Sequence, residues 1–246
     1  GCGLFAVLAQ RLLSGRGSLL RVTLILVLLP FFTSMLVTND VSLITFVPFA
    51  VLILNAIGRT DRLIPVIALQ TIAANLGSMA TPVGNPQNLF ISARYSVPTG
   101  ELFGAVLPVA LASLVLLVLA VAFGPKGGIE VHFGERAEIT HHKRLALCIV
   151  LFVFCLLAVL RVVHYGAVTA VVFLTLLLAD RAALKQVDYC LLLTFVFFFI
   201  FAGNIGNIPA VNDALSAMLD GSSFFTSLLA SQVISNVPAA VLLAGF

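Results

Sequence analysis

Thr38, Asn39 and Asp40 stand in "SMLVTND", in the middle of an apolar run that extends from Leu19 to Leu54. Ser235 and Asn236 end the stretch "SQVISN", in which Ser231 matches Ser34, Ile234 matches Val37, Ser235 matches Thr38 and Asn236 matches Asn39. A third polar set, Thr81, Gly84, Asn85 and Asn88, falls in "TPVGNPQN" at 81–88. Amide oxygens are hard, neutral ligands of the kind sodium takes, and amide NH2 groups hydrogen-bond a bound oxyanion. Asp40 adds an ionisable group that can meet a cation or carry a proton. These residues offer reversible binding of small ions. No catalytic residue is expected, the protein is not expected to be an enzyme, and no nucleotide motif supports a primary pump.

The elements that hold these groups are read from composition. With 61% hydrophobic and 9% charged residues in 246 and a mean hydropathy of +1.18, the chain is an integral membrane protein rather than a soluble domain. Its apolar runs exceed the roughly 20 residues a helix needs to cross hydrocarbon, and strict alternation is absent, so the fold class is all-α rather than a barrel. Pro82 and Pro86 lack N–H donors and Gly84 permits a tight turn, so the helix entering "TPVGNPQN" has to break there. Unwound backbone at that depth is tolerated only inside protein or along a cavity. The polar residues at the breaks supply its missing partners.

Basic residues set the topology. Arg11, Arg16 and Arg21 precede the first long run and Arg59 and Arg62 follow it, so both its ends are expected in the cytoplasm. A re-entrant hairpin over 22–58, turning at Thr38 to Val41, satisfies this. A broken helix over 63–95 and a helix over 101–124 complete a first repeat, 1–124. Lys126, Arg136, Lys143 and Arg144 mark 125–144 as a cytoplasmic linker. The second repeat, 145–246, has no Lys or Arg after Lys185, so its hairpin, starting near Ser222, dips in from outside. Two matched hairpins entering from opposite faces form an inverted repeat, which in secondary transporters meets at the midplane around substrate and ion sites. Gly1 and the apolar ending at Phe246 suggest that N- and C-terminal parts of the fold are missing from the chain.

"TNDVSLITFVPF" (38–49), "NLGSMATPVGNPQN" (75–88) and "SNVPAAVLL" (235–243) resemble the first hairpin tip, the broken helix and the second hairpin tip of the ion transporter superfamily. That group holds divalent anion:sodium symporters, citrate transporter-like permeases, arsenite permeases and sodium:proton antiporters. The resemblance implies a secondary transporter of a small carboxylate or inorganic oxyanion, coupled to sodium or protons by elevator-type alternating access. It implies substrate and ion binding by Thr38, Asn39, Asp40, Thr81, Gly84, Asn85, Asn88, Ser235 and Asn236, with sodium at Asn39, Asn85 and Asn88. No cofactor is expected beyond that sodium ion, and no metal site otherwise. The implied partners are the substrate anion, sodium or a proton, the lipid bilayer and a second copy in a homodimer, with no nucleic acid, in a bacterial-type inner membrane. The symporters carry Ser-Asn-Thr at each tip, whereas the third positions here are Asp40 and Val237, closer to the arsenite permeases and uncharacterised anion permeases.

Other readings of the same residues stay open. The tips can be ordinary helix kinks whose Asn and Thr satisfy backbone groups, and Asp40 can be a solvated tip residue or the coupling acid of a sodium:proton antiporter. An arsenite permease is the closest alternative within transport, and a non-transporting scaffold is a distant one that leaves the matched tips unexplained. His141 and His142 read as solvated, Phe195 to Phe201 as lipid- or scaffold-facing, and the cysteines as small hydrophobes.

Overall fold

The computed structural model describes residue 7 and residues 15–125, 127–131, 141–160, 162–205 and 207–245. Lys126 and residues 132–140 of the expected linker lie outside them. In chain order the elements are β1 (Gly15–Ser18), α1 (Leu19–Thr33), α2 (Asn39–Ala56), a 3-10 turn (Thr60–Arg62), α3 (Leu63–Ser78), α4 (Pro86–Arg94), α5 (Thr99–Ala122), β2 (Gly128–Val131), α6 (His142–Val159), α7 (Tyr165–Ala179), α8 (Arg181–Lys185), α9 (Tyr189–Ile205), α10 (Pro209–Ile234) and α11 (Asn236–Leu243). The protein is an integral membrane protein built of helices. Among the described residues, α2, α5 and α6 are long and apolar enough to cross a membrane. At 1.5 Å per residue, α1 is only about 22 Å long, short of the roughly 30 Å of hydrocarbon.

The chain divides into two compact units, 1–85 with 98–160 and 86–97 with 161–246. In the first, α1 and α2 run antiparallel. Thr33 Oγ1 lies 2.8 Å from Ser42 Oγ, Ser42 Oγ donates to Pro30 O (3.2 Å), and Val22 near the start of α1 packs with Ala50, Ile53 and Leu54 near the end of α2. Ser18 caps α1 by accepting from the Arg21 N–H (3.2 Å), and Thr38 caps α2 by accepting from Val41 N–H (3.4 Å), each satisfying a donor that the helix start leaves unpaired. α3 packs against both arms, adding Val66 to that cluster, while Val27 and Phe31 of α1 meet Ala73 of α3 and Leu117 and Val121 of α5. The approach of α1 and α3 is close enough that a Cβ on Gly77 would run into the Phe31 carbonyl. In lipid, where no water is released between helices, such small-residue contacts supply much of the attraction.

Two features of this unit are absent from the sequence reading. β1 pairs antiparallel with β2, from Gly15 opposite Val131 to Ser18 opposite Gly128, and the Leu19 N–H donates to Gly127 O (2.8 Å). The segment before the hairpin is thereby tied to the segment after α5. At the far end of α2, Asp61 takes hydrogen bonds from Arg59 (Nε to Oδ1, 3.0 Å) and Arg62 (Nε to Oδ2, 3.0 Å). The bond from Arg59 holds its carboxyl below the usual range.

In the second unit α7, α8, α9, α10 and α11 join α4. Asp180 caps α8 by accepting from the Ala183 N–H (3.2 Å), and Phe90 of α4 meets Phe199 of α9 with ring centroids 5.4 Å apart. α9 and α10 are bent by 91° at the Pro209 break. α10 is not one straight helix: Ser222 has φ −169 and ψ 107, and its Oγ accepts from the Phe225 N–H (3.4 Å), capping the half that follows.

Candidate functional site

Two carbonyls and two side chains hold the first tip on the broken helix. Five residues, Ser34 to Thr38, turn the chain between α1 and α2. Asn39, the first residue of α2, donates its backbone N–H to Gly84 O (3.2 Å) and its Nδ2 to Asn75 Oδ1 (3.0 Å). Thr81 Oγ1 donates to Met35 O in the turn (2.6 Å) and accepts from the Gly84 N–H (3.2 Å). Asn85 is 5% exposed and donates its Nδ2 to Ser78 Oγ (3.4 Å), which itself donates to Asn75 O (2.9 Å). Asn75 Nδ2 donates to Thr71 O (2.9 Å). Pro82 and Pro86 explain why α3 stops at Ser78, and Gly84 is required because a Cβ there would overlap the Ser78 carbonyl.

Thr38, Asn39, Thr81, Gly84 and Asn85 are thus brought together in the first unit. Asp40 is exposed in the first turn of α2, where the free N–H groups of a helix start favour a carboxylate. Asn88, on α4, belongs to the second unit with Ser235 and Asn236.

The second tip is made differently. A single residue, Ser235, separates α10 from α11, with φ 72 and ψ 160. That is a region which glycine occupies and other residues enter only under strain, at about 1–3 kcal/mol. Thr38, its match in sequence, is extended at φ −65 and ψ 155 and caps its helix, whereas Ser235 makes no side-chain cap. Beside this tip the second unit holds a cavity of about 640 Å³, lined by Gln87 and Ile91 of α4, Tyr95 just after it, Asp220, Ser227 and Ser231 of α10, and Asn236 of α11. Tyr95 Oη donates to Ala244 O (3.2 Å), joining the two ends of that wall.

A family model described as Citrate transporter matches residues 1–246. The chain belongs to the citrate transporter family. It is 32% identical over 228 residues to an uncharacterized transporter of Methanocaldococcus jannaschii, covering 91% of this chain and 61% of that protein. It is 30% identical over 249 residues to the inner membrane protein YbiR of Escherichia coli, covering 99% of this chain and 66% of that protein. A 46 kDa membrane protein of Mycobacterium leprae is 26% identical over 249 residues, covering 90% of this chain and 58% of its own. The chain therefore spans about three-fifths to two-thirds of the length of these relatives. No solved structure matches it.

In this citrate transporter family chain, sequence reasoning missed Asn75 and Gln70. Asn75 lies inside the quoted "NLGSMATPVGNPQN" and Gln70 one turn earlier, both amides in an apolar run. That placement is itself the signal, since an unpaired amide facing lipid costs several kcal/mol and must find a partner within the protein.

Proposed function

We propose that the full-length protein is a secondary transporter of a small anion, a carboxylate or inorganic oxyanion, coupled to sodium or protons by alternating access. The observation that carries this reading is the seat of Asn39 on the broken helix, through Gly84 O at 3.2 Å and Asn75 Oδ1 at 3.0 Å. Half-helices that end beside unwound backbone are how secondary transporters build ion sites within the membrane. Asn39 gives one Nδ2 hydrogen to Asn75 and keeps its Oδ1 to offer, and an amide oxygen is a hard, neutral ligand of the kind sodium takes. The first tip is therefore assigned to the coupling cation, with Thr38, Asp40, Thr81, Gly84 and Asn85 around it. Ser235 and Asn236, beside the cavity of the second unit, are assigned to the substrate.

The inverted repeat, with repeats 1–124 and 145–246 and hairpins that re-enter the membrane, is part of this proposal, as are elevator motion, a homodimer and residence in an inner membrane, which the name of the Escherichia coli relative supports. Asp40 favours one second reading, in which its carboxylate takes sodium and a proton in turn and the protein works as a sodium:proton antiporter. The test is uptake of radiolabelled citrate, succinate, sulfate, arsenite and sodium by the reconstituted full-length protein under imposed sodium or pH gradients. Gradient-driven accumulation of citrate, succinate or sulfate supports the proposal, and uptake of arsenite instead supports an arsenite permease. Accumulation of sodium alone supports the antiporter, and uptake of none supports a scaffold.

A further inference from the structure

Gln70, in the middle of α3, is 0% exposed. Its Nε2 donates to Leu26 O on α1 (2.9 Å) and to Phe46 O on α2 (3.4 Å), so one side chain holds a carbonyl of each hairpin arm. Both partners are pure acceptors, which fixes the end of the amide that faces them. The Leu26 carbonyl is free to accept for a reason written in the sequence. In a helix it would receive the N–H of residue 30, and residue 30 is a buried proline. Gln70 Oε1 meanwhile has no hydrogen-bond partner among the described residues. A side chain present only to fill this space would not bring an unmet oxygen with it. The nitrogen end is what the position uses.

We propose that Gln70 is a positioning residue, a clasp that fastens both arms of the first hairpin to α3. The same helix carries Asn75, the acceptor for Asn39 Nδ2, and leads into the break at Gly84 that receives the Asn39 N–H. Gln70 fixes the arms at mid-length and Asn75 with Gly84 fixes the tip, so hairpin and α3 form one body and the tip keeps its register with the break. Only the consequence for transport rests on the function proposed above; the clasp itself is a statement about the hairpin.

The experiment is hydrogen exchange on the full-length protein in nanodiscs, read at residues 36–42, which include the Asn39 and Val41 amides, and normalised for the intrinsic effect of pH. Gln70→Leu is expected to speed exchange there by about tenfold, the loss of roughly one buried hydrogen bond, with α5 unchanged. Pro30→Ala restores an N–H for Leu26 O, so Gln70→Leu is expected to do less in that background. In Gln70→Glu, burial favours the neutral carboxyl, which still has one proton to donate; ionised, it has none and faces two carbonyl oxygens. That variant is expected to protect the tip at pH 5 and to lose protection by pH 8, while the parent holds at both, and this comparison within one protein stands even where Gln70→Leu does not fold. Parent-like exchange in Gln70→Leu, loss spread evenly over all helices, no dependence on Pro30, or a flat pH response in Gln70→Glu would each overturn the clasp. Absence of flux in the parent counts against the transporter, and leaves the clasp to be decided by exchange.

Discussion

Asn39 and Asp40 are neighbours with different surroundings, and their substitutions should separate. Asn39 is half-buried and bonded through both its backbone and its side-chain nitrogen, while Asp40 is exposed at the helix start. Asn39→Ala removes the amide oxygen assigned to the cation and orphans Asn75 Oδ1. A hydrogen bond or ligand contact to a charged partner contributes about 1.5–3 kcal/mol, so apparent cation affinity should fall at least tenfold in flux assays. Asp40→Asn should leave substrate binding measurable while loosening its dependence on sodium or pH; full parental dependence would reduce Asp40 to a solvated stabiliser of the helix start. Gly84→Ala places a Cβ on the Ser78 carbonyl, a backbone atom with little room to yield. It should lower unfolding free energy by about 1–3 kcal/mol, seen as a reduced midpoint of thermal unfolding in detergent. Asn85→Ala should abolish coupled transport and also cost stability, because Asn85 is buried and donates to Ser78.

The helices were legible where composition and breakers act locally. The Pro and Gly residues of 81–88 separate α3 from α4, and α10 loses its helical geometry at Ser222. What a local reading could not supply were facts made by distant partners. The β1–β2 pair joins segments on either side of the whole first hairpin and α5, and neither strand has the length or alternation that would announce it. The role of Gln70 depends on a proline in a different helix. The likeness of the two tips in residue type also hid a difference in backbone, a five-residue turn at one and a single strained Ser235 at the other. Ser235→Gly should therefore stabilise by up to about 1–3 kcal/mol, where Thr38→Gly destabilises by loss of its cap. For the first hairpin, re-entry predicts that a single cysteine replacing Leu36, exposed in the turn, is not labelled from the side of the membrane opposite to one replacing Arg21. Labelling of position 36 from that opposite side would make the hairpin a pair of spanning helices, a length α2 has.

At the scale of the molecule, the chain is a membrane protein of the citrate transporter family whose first unit seats a hairpin on a broken helix and whose second holds a cavity beside another tip. The central claim is that the first tip binds the coupling cation and the second the substrate. It is tested most directly by one comparison in vesicles reconstituted with the full-length protein: uptake of whichever tested anion the parent accumulates, measured against substrate concentration and against sodium or proton concentration, for the parent, Asn39→Ala and Asn236→Ala. Asn39→Ala should shift the cation dependence at least tenfold with a smaller change in substrate affinity at saturating cation, and Asn236→Ala should do the reverse. Equal shifts of both dependences in both variants, or parental curves in Asn39→Ala, would contradict the assignment.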